Sequence, residues 1–132
     1  MKYTSNLERD GMTFASEIED LCDGAENIES VIVGPFGWSY NNEPDSEAFG
    51  FSRNESRVPI PQELKNKPQA WDTMRSYLDY NYDCGYGSPE CHAVLVYTDK
   101  IIVGVSTYDG STRFFSVPRN PTDWIPTMPG GG

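Results

Sequence analysis

Cations, histidine and cysteine are scarce in this 132-residue chain: 10 Lys and Arg stand against 20 Asp and Glu, with 1 histidine and 3 cysteines. A formal net charge of -10 disfavours direct binding of nucleic acid, whose affinity comes largely from cations that displace counterions. An odd number of cysteines argues against a secreted disulfide framework. Long apolar runs are missing too: the richest, Ala93 to Tyr97 and Ile101 to Val105, is broken by Thr98, Asp99 and Lys100. Nothing approaches the roughly 20 apolar residues of a membrane helix. The opening M-K-Y-T-S-N-L-E-R-D lacks the apolar core of an export signal. The expectation is a soluble, cytoplasmic protein that makes no membrane contact. Gly-containing pieces such as G-P-F-G and C-G-Y-G are too short and wrongly ordered for a nucleotide loop, and no cofactor is expected.

What is present is apolar and aromatic surface, 37% and 13% of residues, enough to offset the entropy of ordering one core. The length suits a single domain over 1–117 followed by a Pro/Gly-rich tail over 118–132, where Pro118, Pro121, Pro126 and Pro129 end regular structure. Thr13 caps a helix predicted over 13–22, with Phe14, Ile18, Leu21 and Cys22 on one side and Glu17, Glu19, Asp20 and Asp23 in water. Asp23-Gly24 supplies its stop. Ile28 to Val33 is a strand ended by G-P-F-G, and 38–41 with 48–53 are two arms of a looser hairpin. Prolines 59, 61 and 68 make 57–68 a connection with one helical turn. Trp71, Met74 and Leu78 recur at three and four in a second helix predicted over 70–81. Residues 92–117 then read as a three-stranded antiparallel meander, since T-D-K and D-G-S-T are too short for parallel crossovers. The predicted fold is α+β: an antiparallel sheet of about four to six strands with both helices on one face.

The densest chemistry is D-C-G-Y-G-S-P-E-C-H at 83–92. Cys84, Cys91 and His92 are a weak metal alternative, because the six-residue gap is wrong for paired ligands and adjacent residues on a strand point to opposite faces. Cysteine catalysis fares no better, as no second base is at hand and Asp83 and Glu90 disfavour a thiolate. No catalytic residue is assigned. Tyrosines among acids suit a protein interface instead, with Glu17, Glu19, Asp20, Asp23, Trp38, Tyr40, Glu43, Tyr80, Tyr82, Asp83 and Tyr86 as partner-binding candidates.

The functional expectation is an interaction protein that binds and masks or inhibits a basic, nucleic-acid-handling protein, as a phage or mobile-element inhibitor would, by analogy of size and charge. The alternatives are a small-molecule-binding or catalytic domain using the 77–92 loop, and a subunit of a homo-oligomer such as a dimer paired through a sheet edge.

Overall fold

A threonine and a serine open the first helix. In the computed structural model, which describes residues 12–37, 58–82, 90–108, 111–121 and 125–126, Thr13 and Ser16 cap each other. The Ser16 amide donates to Thr13 Oγ1 at 3.2 Å and the Thr13 amide to Ser16 Oγ at 2.6 Å. Helix α1 then runs Phe14–Leu21 and buries Phe14, Ala15, Glu17, Ile18 and Leu21. It stops as two bonds reach back from the exit: the Asp23 amide to Asp20 O at 3.2 Å and the Gly24 amide to Glu19 O at 2.8 Å. This closing motif puts Asp23 in the left-handed region at φ 60°, a position where glycine costs least.

Strand β1, Ile28–Phe36, continues past the predicted end at Val33. Pro35 has no N–H to give a ladder, and the chain accommodates it with a register shift between Val33 and Phe36 before Gly37, at φ 68°, turns it away. The proline-rich connection forms a 3-10 turn, Gln62–Leu64, and a two-residue strand β2, Pro68–Gln69, on the edge of the sheet. Helix α2, Trp71–Leu78, ends three residues before the predicted 81. Its chain leaves at Asp79 because Tyr80 is drawn into the core, where it is 2% exposed. The meander forms as predicted from β3 (His92–Thr98), β4 (Ile101–Tyr108) and β5 (Ser111–Pro118). The arms 38–41 and 48–53 and the Asp109-Gly110 turn lie outside the described residues.

The result is an antiparallel five-stranded sheet of order β2-β1-β3-β4-β5 with two helices, an α+β fold. Register separates its two faces. Inward-pointing Val31, Val33, Val94, Val96, Val103 and Phe114 meet Phe14, Ile18, Met74 and Leu78 from the helices in one core. Full burial of each such side chain contributes about 1.5–3 kcal/mol, against about 1 kcal/mol for an ordinary hydrogen bond, so this inner face sets the stability. Outward, the strands align Ile32, Leu95, Gly104 and Phe115 in one row and Ser30, Tyr97, Ile102 and Val117 in the next. The Phe115 ring lies over Gly104, where a Cβ would meet Cζ at 2.6 Å.

Replacing Asp23 with glycine is expected to stabilise the fold by about 0.5–1 kcal/mol, through relief of the left-handed backbone and of a negative charge at a helix C-terminus. The check is a thermal melt of Asp23→Gly, where an unchanged or lowered midpoint would contradict this reading of the helix exit.

Candidate functional site

Helices α1 and α2 lie antiparallel, and a chain of polar contacts ties them at both ends. Glu19 takes the Trp71 indole N–H at 2.9 Å on Oε2, together with Arg75 Nε at 2.8 Å on Oε2 and an Arg75 terminal nitrogen at 3.0 Å on Oε1. Arg75 also reaches Asp79 Oδ2 at 3.3 Å, one turn along its own helix. Asp79 Oδ1 accepts the Thr13 hydroxyl at 2.5 Å, returning the chain of contacts to the cap of α1. The Arg75 hydrogen bonds, helped by the indole, hold the Glu19 carboxyl below its usual range against the opposing effect of desolvation. The same pair raises Arg75, chiefly through its hydrogen bonds to Glu19.

Two of the predicted surface acids are therefore engaged inside the protein. Glu17 is 5% exposed rather than in water, and its Oε2 accepts the Tyr82 hydroxyl at 2.8 Å. Tyr82 packs edge-on to Phe14, with ring centres 5.3 Å apart. Asp20 and Asp23 are exposed, as expected. Glu26 and Asp72, which were not among the candidates, are exposed on the same helical layer. Between residues 12 and 27 and between 71 and 82 the chain carries seven carboxylates and one cation, Arg75. That cation is already shared by Glu19 and Asp79, while Asp20, Asp23, Glu26 and Asp72 stand exposed to solvent.

Tyr80 belongs to the core rather than to a contact surface. Its ring stacks on Phe14 at 5.4 Å between centres and 7° between planes, and its carbonyl accepts the Phe14 amide at 2.8 Å. Its hydroxyl accepts the backbone N–H of His92 at 2.8 Å and lies 2.9 Å from His92 Nδ1. The arrangement is satisfied when the Tyr80 O–H donates to Nδ1, which leaves the ring proton of a neutral His92 on Nε2. His92 is fully buried against Phe36, with ring centres 5.1 Å apart, and Cys91 beside it is buried as well. A ring so enclosed, with Nδ1 turned to a tyrosine, is arranged for structure rather than for proton transfer to a substrate.

Trp38, Tyr40, Glu43, Asp83, Cys84 and Tyr86 lie outside the described residues. Among the described residues no group of three or more His, Cys, Asp or Glu is placed to hold a metal ion, and no helix is long and apolar enough to cross a membrane. Trp71 and Arg75 were not expected at the candidate site, since 52 and 56 residues separate them from Glu19 and no local pattern announces the pairing. Compared with protein-family models, with curated proteins and with solved structures, the chain matches none.

Two substitutions test this geometry. Tyr80→Phe keeps the ring but leaves the buried His92 amide and Nδ1 without the hydroxyl, and is expected to cost about 2–3 kcal/mol in denaturant unfolding. A variant as stable as the parent would show that the hydroxyl does not hold His92. For Glu19→Gln, the folded carboxyl titrates below the unfolded one, so its stabilisation is complete above the unfolded value and disappears as pH falls through the folded one. The parent is expected to exceed Glu19→Gln by about 1–2 kcal/mol at pH 7, and the gap should begin to close as pH falls past the unfolded value of about 4.3 and vanish once it is below the lower folded value. A gap independent of pH would contradict the charged clamp.

Proposed function

We propose that this chain is a small acidic interaction protein whose helical layer binds a basic protein partner. The observation that carries the reading is the placement of charge. Asp20, Asp23, Glu26 and Asp72 are exposed on one layer, and Arg75, the cation of α2, is already engaged by Glu19 and Asp79. Such a surface repels phosphate backbones and attracts Lys/Arg-rich surfaces, raising association rate and selecting against acidic partners. Proteins that handle nucleic acid carry such basic surfaces, so a cytoplasmic inhibitor that masks one, of the phage or mobile-element kind, fits the size and charge by analogy.

The test pairs the parent with a variant carrying Asp20→Asn, Asp23→Asn, Glu26→Gln and Asp72→Asn. A partner captured from lysate by the parent at about 0.05 M salt should bind the neutralised variant at least about fourfold more weakly, given about 0.2–1 kcal/mol for each of the exposed charges removed. Its binding to the parent should fade toward about 0.5 M salt. Equal binding by both proteins at both salt concentrations would remove the electrostatic reading.

A further inference from the structure

The face of the sheet turned away from the helices has an unusual surface for so acidic a chain. Its two central rows, Ile32, Leu95, Gly104, Phe115 and Ser30, Tyr97, Ile102, Val117, carry no charged side chain. The charges nearest these rows are Arg113, opposite Ser106, and the Arg119–Glu29 pair at the edge, whose guanidinium lies over the Tyr97 ring 5.9 Å from its centre. Leu95 and Val117 remain 41% and 39% exposed. Beside them, Ile32, Gly34, Ala93, Leu95, Gly104 and Phe115 line an open, almost wholly apolar depression of about 300 Å³. Half-solvated antiparallel sheets present mostly polar residues to water, and here the two central rows do so only at Ser30 and Tyr97.

We infer that this face is where two copies of the chain associate, sheet against sheet. The distribution of charge selects that occupant. Two chains of net charge -10 repel each other wherever their helical layers meet. Packed through the uncharged rows, they bury Leu95, Phe115 and Val117 and hold their acidic helices on opposite outer sides, as far apart as the fold permits. Sheets pack face to face about 10 Å apart through apolar side chains, and the depression next to the Phe115 ring offers a socket for Leu95 of a second copy. Four strands about 4.8 Å apart and six residues of about 3.3 Å rise project to roughly 400 Å² per copy. This lies at the low end for specific association, so the dimer dissociates on dilution. The inference stands independently of the basic-partner reading, since it uses the opposite face.

Sedimentation velocity and light scattering of the full chain from about 1 µM to about 1 mM, the span of weak association, test it. The mass should rise from one chain to two. Raising salt from about 0.05 to about 0.5 M should favour the dimer, because screening removes repulsion between like-charged copies. That is the reverse of the salt effect expected for a basic partner, so the two readings fail separately. Leu95→Glu and Val117→Glu, both at positions exposed enough to spare the fold, should each weaken association at least about tenfold while leaving far-UV circular dichroism unchanged. A single chain at every concentration would assign the face to a different molecule and overturn the inference. So would a dimer that salt dissolves, or one that both glutamate variants form as well as the parent does.

Discussion

The placement of one tyrosine ring organises this fold. Tyr80 stacks on Phe14 of α1, meets Phe36 of β1 edge-on at 6.2 Å, and accepts on its hydroxyl the backbone N–H of His92, the first residue of β3. Its carbonyl also receives the Phe14 amide, one of the donors that a helix start leaves without an internal partner. A single residue thus joins the end of α2, the first turn of α1 and the entry of β3 into the sheet. The chain stops being helical at Asp79 so that Tyr80 can turn inward, which is why the helix predicted to 81 ends at Leu78, the last residue of its apolar stripe. The contacts of His92 follow from the same insertion. The single histidine of the chain is consumed as a buried partner of a hydroxyl, and the Cys-His pair that looks reactive on paper sits in the core.

With the core settled on one side of the sheet, the helices must carry the acids. Glu17 and Glu19 are satisfied within the layer by Tyr82, Trp71 and Arg75, and the remaining carboxylates face outward. A buried carboxylate needs a donor, and each of these has one from an element far away in sequence. Arg119 works at the other end of the sheet, donating to Thr98 O at 2.8 Å and pairing with Glu29, so the end of β5 is tied across to β1 and β3. The described residues are two-sided: a helical layer with exposed acids on one face, and on the other a sheet whose two central rows are mostly apolar.

Much of this was legible in the residues. The caps at Thr13 and Asp23-Gly24, the core stripe of Phe14, Ile18 and Leu21, and the short links of the meander are local signals, and each led to the right element. Glu17 was assigned to water although it lies three residues after Phe14 and four before Leu21, the spacing of the buried stripe. Helical geometry alone placed it inward, and its charge argued the other way because a partner 65 residues distant cannot be seen in a local pattern. Tyr80 was read as surface for the same reason: tyrosine among acids suits an interface as well as a core, and the deciding contacts come from Phe14 and His92. The apolar outer rows were half visible in the alternation of Ile101 to Val105, where both faces of β4 are partly apolar. Register with Leu95, Phe115 and Val117 is what turns that hint into a continuous surface.

The central claim is that the hydroxyl of Tyr80 fixes His92 as a neutral structural residue in the core. Nitrogen NMR of the imidazole in the intact chain at neutral pH tests it most directly, because this chain has one histidine and its two ring nitrogens report separately. The account predicts an unprotonated Nδ1 and a protonated Nε2. A proton on Nδ1, or averaged signals from an imidazole exchanging freely with water, would contradict it.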